Sequence, residues 1–365
     1  MSLSSAASAL ARPLAATLTR GWPAGSRLFL VGEGAGWSID HDLHELAATA
    51  RRIGVRVARG PLLSASREQA AFYGSQFTLL REPWSPPDHR LATAYFHGRP
   101  GTPGYPEFDE CFDVLRRRHG ELSRVQVTHT EMHELVLSSG IDETKVFRIP
   151  IGVEPSQFTP QTETLRRAAR AAFGLPADAF VVGSFQKDGV GWGDGLEPKL
   201  VKGPDVLVAA LAGVHDRVPE LHVLLSGPAR GFVKAGLDRH RVPYVHRTVA
   251  RYADVCRLYH AVDAYLVPSR QEGGPKAVLE AMASGVPLVS TRVGQATDLI
   301  RDGENGWLVY VDDVEAMVER LGTIADGGPD LSSIRARGLE TAAEHSYEAQ
   351  VPLWRSFFDG FVAVR

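Results

Sequence analysis

The residues with the clearest chemical potential are two glutamates that lie eight positions apart. Glu272 precedes a Gly-Gly-Pro turn, and Glu280 lies in a stretch whose apolar residues recur at helical spacing. Because proline suits the first helical position, where its missing N–H costs nothing, we expect Pro275 to begin a helix. Glu272 would then lie on the loop before the helix, and Glu280 about one and a half turns into it.

A helix start between two carboxylates suits a ligand that carries both phosphates and hydroxyl groups. The free N–H groups and partial positive charge of the helix N-terminus favour phosphate. Carboxylates make charge-assisted hydrogen bonds to hydroxyl groups. A nucleotide sugar has a ribose on one side of its diphosphate and a sugar on the other, so one carboxylate could bind each.

The segment EGGPKAVLEAMASGVPLVST, with the later DGENGWLV, resembles the donor-binding segment of retaining GT-B glycosyltransferases of the Glu-x7-Glu type, glycosyltransferase family 4 or "group 1". The resemblance implies an α/β fold of the GT-B type, with two Rossmann-like domains facing a central cleft. It also implies that Glu280 holds the ribose, and that Glu272 with Gly273 and Gly274 orients the donor sugar. Without the flanking sequence, the spacing alone would equally fit two solvated glutamates beside a surface helix.

Length and composition agree with a two-domain globular protein. The chain has 365 residues, 44% of them hydrophobic and 23% charged, and a net charge of −3 that gives no reason to expect a nucleic-acid partner. Cys111 and Cys256 lack metal-ligand spacing, and we expect both to be small core residues. They are compatible with a reducing cytoplasm, and no apolar run of transmembrane length is present.

Short apolar strands alternate with amphipathic helices, which indicates parallel α/β layers. We predict an N-terminal segment, an acceptor-side domain, a nucleotide-sugar-binding domain and a C-terminal helix that returns to the first domain, at 1–24, 25–150, 151–340 and 341–365. The N-terminal segment is expected to be loosely ordered, and membrane contact on the cytoplasmic face is the alternative. Strand candidates lie at 27–31, 55–58, 92–96, 124–128, 180–184, 222–226, 264–268 and 287–290.

The last helix carries four aromatic side chains on one face, and packing onto a core is the expected reason for them. These side chains are Trp354, Phe357, Phe358 and Phe361.

Two lysines are candidates for binding the donor diphosphate. The resemblance assigns this role to Lys202, which precedes Gly203, and fixed positive charge there would stabilise the departing diphosphate. The family usually has a second cation, an arginine, where this chain has Ser184, and Lys187 is the candidate replacement. Both lysines could instead be solvated side chains of the glycine-rich segment 184–203, a loop long enough to be either functional or disordered.

Other candidates are a histidine and several glycines. The resemblance places His97 near the donor sugar, with His129 as a weaker alternative. Gly34 and Gly36 suit a tight turn that approaches the donor phosphates or the acceptor, although a Gly-x-Gly pair alone is weak evidence. Gly227 falls where the family builds the nucleobase pocket.

The Asp40-His41-Asp42 run matches a metal-binding pattern of another transferase fold, but its place at a helix start favours capping of free N–H groups. We therefore expect no metal or other cofactor. The prediction is a retaining transferase that moves a hexose-like sugar from a nucleotide-diphosphate sugar to a saccharide or glycolipid acceptor. A phosphorylase, a nucleotide-sugar epimerase and a non-catalytic sugar- or partner-binding protein remain alternatives.

Overall fold

Strands and helices alternate along the chain in the computed structural model, which describes residues 19, 21–34, 38–58, 60–81, 88–328 and 330–365. The chain forms two units. The first comprises the described residues up to Pro150 together with Gln350–Arg365, and the second is Ile151–Ala349. The second unit therefore continues past the boundary at 340 that the sequence suggested. Gly36 and most of the segment 1–24 lie outside the described residues.

The first unit contains a parallel sheet with the strand order β2-β1-β3-β4-β5-β6. Its strands are β1 (Leu28–Val31), β2 (Val57–Ala58), β3 (Ala70–Tyr73), β4 (Arg90–Ala94), β5 (Leu122–Val127) and β6 (Val146–Arg148). Its α-helices are Ser38–Ile53, Gln76–Leu79, Pro106–Arg118, Thr130–Leu137 and Val351–Phe358.

The C-terminal helix packs into the core of the first unit, as the sequence predicted. The ring of Phe72 in β3 lies 5.8 Å from that of Trp354 and 5.7 Å from that of Phe357, both in edge-on contact. Phe358 is also buried, and Phe361 is buried just beyond the end of the helix. Aromatic pairs of this kind stabilise a core beyond the area that they bury.

The second unit contains another parallel sheet, with the strand order β12-β11-β10-β7-β8-β9. Its strands are β7 (Phe180–Phe185), β8 (Leu221–Ser226), β9 (Tyr244–His246), β10 (Ala264–Val267), β11 (Leu288–Thr291) and β12 (Trp307–Val309). Its α-helices are Glu163–Phe173, Pro204–Arg217, Gly231–Arg239, Cys256–His260, Lys276–Ala283, Ala296–Leu299, Val314–Ala325 and Leu331–Glu344. The strand order reverses between β7 and β10, and ligands of such sheets bind beyond the carboxyl ends of the strands at that point.

The structure differs from the sequence prediction mainly in short elements. Strands β3, β6, β9 and β12 were not predicted. The segment around Cys256 forms a 3-10 turn, Tyr252–Asp254, followed by the short helix Cys256–His260. Cys111 is buried as expected, and Cys256 is partly buried and packs against the core of the second unit. No helix in the described part of the chain has both the length and the apolarity needed to cross a bilayer.

Candidate functional site

The two glutamates lie where the sequence predicted, one on a loop and one in the following helix. Strand β10 ends at Val267, Glu272 is on the loop, and Glu280 is in the helix Lys276–Ala283. Pro275 does not begin the helix. Its ψ of 95° is extended, so it is the N-cap residue and the helix starts one residue later.

Glu272 and Lys202 form an ion pair at the carboxyl ends of the central strands. The Lys202 ammonium group lies 2.6 Å and 2.7 Å from the two carboxylate oxygens of Glu272. The Ser269 hydroxyl donates a further hydrogen bond to Glu272 at 2.8 Å. The side chains of Lys202 and Glu272 remain 26% and 11% exposed, so both stay within reach of a ligand. The structure thus brings together two residues that the sequence assigned separately to the diphosphate and the sugar.

The backbone next to Lys202 fixes the position of its side chain. Gly203 follows with a φ of +61° and is the N-cap of the helix Pro204–Arg217. A Cβ atom there would lie 2.1 Å from the carbonyl oxygen of Pro268, so only glycine allows this close approach. Arg270 binds the Leu200 carbonyl at 2.9 Å and the Asp205 carboxylate at 2.7 and 2.8 Å, which joins the same turn to the loop that carries Glu272.

Glu280 is buried and accepts hydrogen bonds from two tyrosines. The Tyr259 hydroxyl donates to Oε2 at 2.8 Å, and the Tyr252 hydroxyl donates to Oε1. Burial, reinforced by the nearby carboxylate, holds the pKa of Tyr259 well above its usual range, so this hydroxyl remains a proton donor. The carboxylate is held in one orientation, with a 6% exposed side chain at the edge of the site.

An aromatic cluster behind Glu280 holds Tyr259 in place. The Tyr259 ring lies 5.0 Å from Phe185 at the end of β7 and 5.2 Å from Tyr265 in β10. The Tyr265 hydroxyl accepts the backbone N–H of Phe185 at 2.9 Å. These contacts connect Glu280 to the two strands between which the strand order reverses.

The loop after Glu272 is packed too closely to admit larger residues. A Cβ atom at Gly274 would lie 2.4 Å from Cδ1 of Ile151, and one at Gly294 would lie 2.5 Å from the Gly273 carbonyl oxygen. The Gln295 N–H donates to that same Gly273 carbonyl at 3.1 Å. Gly274 and Gly294 therefore let the loop pass close to its neighbours, which fixes the backbone beside Glu272.

A second ion pair lies beneath the glycine-rich segment and is fully buried. The Arg230 guanidinium donates to the carbonyl oxygens of Ser184, Gln186 and Ser226 at 2.9 to 3.0 Å, and to the Ser184 hydroxyl at 3.0 Å. Its Nε lies 3.2 Å from Oδ1 of Asp188, and neither side chain is exposed. Burial raises the pKa of Asp188 and lowers that of Arg230, and their mutual attraction opposes both shifts.

Lys187 and Gly227 flank this pair. The Lys187 ammonium lies 4.4 Å from the centre of the Trp192 ring, and partial burial lowers its pKa. Gly227 has a φ of +93°, and its carbonyl oxygen accepts the Nε2–H of His246 at 2.8 Å. Lys187 is thus placed beside an aromatic ring, and Lys202 carries the ion pair with Glu272.

In the first unit, His97 lies beyond the end of β4 and is partly buried. Its backbone N–H donates to the side chain of Gln76 at 2.9 Å, and its ring stacks on Phe77 at 5.5 Å. His129 is almost fully buried, and its Nδ1 lies 2.9 Å from the Thr128 hydroxyl. These contacts orient both rings within the unit.

Gly34 adopts a φ of +67°, the turn conformation that the sequence suggested. Its N–H donates to the carboxylate of Asp40 at 3.3 Å, from the first turn of the helix Ser38–Ile53. This contact ties Asp40 to the turn before the helix rather than to an N–H of the helix itself, so helix capping by Asp40 stays a prediction. No group of three or more His, Cys, Asp or Glu side chains placed to hold a metal ion occurs among the described residues.

Sequence reasoning missed the residues that hold the charged groups in place. The sequence around Tyr252 and Tyr259 gives no sign that they bind Glu280. Arg230 and Asp188 gave no recognisable spacing, although a charged residue beside two glycines in the segment GPARG was a usable signal.

The match to a family model lies within the second unit. Residues 195–326 match the family model for group 1 glycosyl transferases. The D-inositol 3-phosphate glycosyltransferase of Corynebacterium urealyticum is 28% identical over 244 residues, covering 61% of this chain and 54% of the relative. The lipopolysaccharide core biosynthesis mannosyltransferase LpsB of Rhizobium meliloti is 29% identical over 209 residues, covering 53% and 54%. The chain spans about half the length of these curated relatives.

The fold is shared with solved structures over nearly the whole chain. HepE of Anabaena, solved in complex with UDP, has a TM-score of 0.70 and 17% sequence identity, covering 92% of this chain and all of that one. The predicted α/β fold of the GT-B type, with a parallel sheet in each unit, is thereby confirmed.

Proposed function

We propose that this chain, whose residues 195–326 belong to the group 1 glycosyl transferases, moves a glycosyl unit from a nucleotide-diphosphate sugar to an acceptor hydroxyl. The observation that carries the proposal is the pairing of Lys202 with Glu272 beside the buried Glu280. A cation, a helix start and two carboxylates are the groups that a diphosphate flanked by two sets of hydroxyl groups would require.

Each charged group has a separate role in this proposal. Lys202 and the N–H groups at the start of the helix Lys276–Ala283 stabilise negative charge on the departing diphosphate. Glu272 accepts hydrogen bonds from the donor sugar, and Glu280 accepts them from the ribose. Lys202 and Glu272 bind each other before the donor arrives. When the donor binds, its diphosphate contacts Lys202 and its sugar hydroxyl groups contact Glu272.

The stereochemical course belongs to the same proposal. We favour transfer with retention of the anomeric configuration, in which the leaving phosphate takes the acceptor proton while the acceptor oxygen attacks the same face of the sugar. Catalysis would then come from positioning and electrostatic stabilisation. Because Lys202 supplies positive charge to the diphosphate, we expect activity to persist in EDTA. Loss of activity that manganese restores would contradict this. A cytoplasmic location and contact with a membrane face stay predictions of the sequence.

A nucleotide-binding measurement tests the donor site directly. UDP is the first nucleotide to try, because HepE was solved in complex with it, followed by GDP, ADP and TDP. A ligand at about 100 times its Kd stabilises the folded state by about 2.7 kcal/mol, which a thermal unfolding experiment resolves. Failure of all four to stabilise the folded protein would contradict the proposal.

Glu280→Gln and Tyr259→Phe separate binding from folding at this site. Tyr259→Phe removes the hydrogen bond between Tyr259 and Glu280, and Glu280→Gln replaces a charged acceptor of that bond with a neutral amide, so we expect both to lower the free energy of unfolding by about 1 kcal/mol. Only Glu280→Gln removes the carboxylate assigned to the ribose, so only it should weaken binding of the nucleotide. Equal nucleotide affinity in the two variants would contradict the role of Glu280.

A binding protein without catalytic activity is the second candidate. It is favoured by Ser184, which stands where the resembling family has an arginine at the diphosphate. Release of a free nucleoside diphosphate only when an acceptor is present distinguishes the transferase from this alternative, and from a phosphorylase or an epimerase.

A further inference from the structure

The glycine-rich segment between β7 and Lys202 contains a well-defined loop, residues 187–199, which we call the tryptophan loop. The Lys199 N–H donates to the Asp188 carbonyl at 2.8 Å, and the Val190 N–H donates to the Glu197 carbonyl at 2.9 Å. The two sides of the loop therefore pair with each other like the strands of a short hairpin. The loop starts just after β7 and ends three residues before Lys202, so it is anchored at the proposed donor site.

Packing against the segment after β8 holds the base of the loop rigidly. The Gly231 N–H donates to the Asp194 carbonyl at 2.6 Å, and the Phe232 N–H donates to the Gly195 carbonyl at 2.8 Å. A Cβ atom at Gly195 would lie 2.1 Å from the carbonyl oxygen of Ala229. Backbone contacts thus hold the loop at Asp194 and Gly195, next to its tip.

The tip presents a tryptophan side chain that is 63% exposed. Trp192 is flanked by Gly191 and Gly193, and a Cβ atom at either glycine would meet open space. The Lys187 ammonium lies on the ring at 4.4 Å from its centre, which draws one side of the indole towards the loop. A large aromatic ring that is exposed and bordered by open space is suited to stacking with a flat partner.

We propose that Trp192 is a stacking platform for a sugar ring of the saccharide acceptor. This inference rests on the proposed function, because it assigns the acceptor class of the same site. One face of a pyranose ring presents C–H groups, which pack on the negative face of an indole. Asp194 and Glu197 are exposed on the same loop and can accept hydrogen bonds from sugar hydroxyl groups.

Charge favours a saccharide over a lipid surface as the partner. The tryptophan loop has two lysines, Lys187 and Lys199, against three acids, Asp188, Asp194 and Glu197. Loops that bind anionic membranes carry an excess of basic residues, and this one does not. Val190 and Leu196 are also exposed, so a vesicle must be included among the probes.

The test uses the full chain, saturated with whichever nucleoside diphosphate it binds, and three neutral hexasaccharides: maltohexaose, cellohexaose and chitohexaose. Calorimetry gives the affinity for each saccharide in the wild type and in the variants Trp192→Ala, Trp192→Phe and Tyr310→Ala. Tyr310 is the matched control, because it is 71% exposed and carries Arg292 at 5.3 Å from its ring. Thermal unfolding checks that each variant folds and gives its affinity for the nucleotide.

We expect at least one hexasaccharide to bind the wild type, and Trp192→Ala to weaken that binding about tenfold or more. Trp192→Phe keeps an aromatic ring and should lose less affinity, and Tyr310→Ala should lose none. Tryptophan emission should change with saccharide in the wild type and much less in Trp192→Phe. Affinity for the nucleotide should stay the same in all four proteins.

Three results would overturn the inference. One is that no hexasaccharide binds the wild type, since stacking on C–H groups tolerates many sugars. Another is that Trp192→Ala changes only the affinity for the nucleotide. The third is that it abolishes binding to phosphatidylcholine vesicles and leaves saccharide binding intact. Failure of the donor-site proposal would look different: no nucleoside diphosphate would bind, whether or not saccharide binding depended on Trp192.

Discussion

Two ion pairs lie at the ends of the glycine-rich segment, and they differ in their burial and in the other groups that they bind. Asp188 and Arg230 are both fully buried, and the arginine also binds three backbone carbonyl oxygens. Lys202 and Glu272 are 26% and 11% exposed, and each lies within reach of a ligand. A fully buried pair, in which the arginine also binds backbone oxygens, holds the fold together. In a partly exposed pair such as Lys202 and Glu272, each side chain can release the other and bind a substrate instead.

The variant Arg230→Ala tests this comparison most directly. It should lower the free energy of unfolding more than any other variant that we propose. Removing one member of a buried pair leaves the other charge without compensation, which costs about 3–5 kcal/mol. The free energy of unfolding, measured in urea, should fall by about that amount, which is a large share of the total stability of a typical domain.

Arg217→Ala is the control for that measurement. Arg217 pairs with Asp326 at 3.0 Å, but the two side chains are 46% and 64% exposed. Exposed pairs contribute about 0–1 kcal/mol, so this variant should unfold nearly as the wild type does. Similar losses in Arg217→Ala and Arg230→Ala would refute the assignment of a structural role to the buried pair.

Lys202→Met should show the opposite behaviour, with a large effect on turnover and a small one on folding. Removing a group that stabilises developing negative charge costs about 10²–10³-fold in kcat. The free energy of unfolding should change by less than about 1 kcal/mol, because the pair with Glu272 is partly exposed. Steady-state kinetics and urea unfolding on one preparation give both numbers.

Lys234→Met serves as the matched lysine variant in the same unit, on the helix Gly231–Arg239, and should leave kcat unchanged. If Lys202→Met kept wild-type turnover, the lysine would be a solvated loop residue, as one reading of the sequence allowed.

The placement of Lys202 can be tested through its neighbour Gly203. Gly203 and Gly285 have similar φ angles, +61° and +66°, but a Cβ atom at Gly285 would meet open space, whereas one at Gly203 would lie 2.1 Å from a backbone oxygen. Gly285→Ala should therefore cost about 1 kcal/mol from its φ angle alone. Gly203→Ala should cost at least about 2 kcal/mol and also lower kcat, because the backbone beside Lys202 must shift. Equal losses of unfolding free energy in Gly203→Ala and Gly285→Ala would show that the close approach to Pro268 does not require glycine at position 203.

The sequence identified the exposed pair and missed the buried one, for a physical reason. Glu272, Glu280 and Lys202 lie in segments whose spacing and glycines are set by the ligand that they would bind, and such constraints appear as a local motif. Arg230 and Asp188 meet only because β7 and β8 are neighbours in the sheet. No local pattern records that contact.

The same reasoning explains which parts of the fold were predictable. Helices and strands with long apolar runs, such as β8, were placed within about two residues. Short strands such as β9 and β12 are held by their neighbours in the sheet, and three residues carry too little periodicity to identify them. The contact of Trp192 with Lys187 was missed because the loop that joins them takes its shape from Ala229 and Gly231.

The smallest effect that we predict concerns pH and the buried side of the comparison. His246 donates to the carbonyl oxygen of Gly227, close to the strand end that Arg230 binds. Burial lowers the pKa of His246 in the folded state, and nearby positive charges lower it further. At a pH between the folded and the unfolded pKa of His246, the unfolded chain binds more protons than the folded one. The stability that neutral His246 contributes is therefore complete above about pH 6.5, the usual pKa of histidine, and is lost as the pH falls towards the lower pKa of the folded state. Wild-type protein should therefore lose more of its free energy of unfolding on acidification than His246→Gln does. Parallel pH profiles for the two proteins would mean that burial and the neighbouring positive charges do not disfavour the protonated form of His246 in the folded protein.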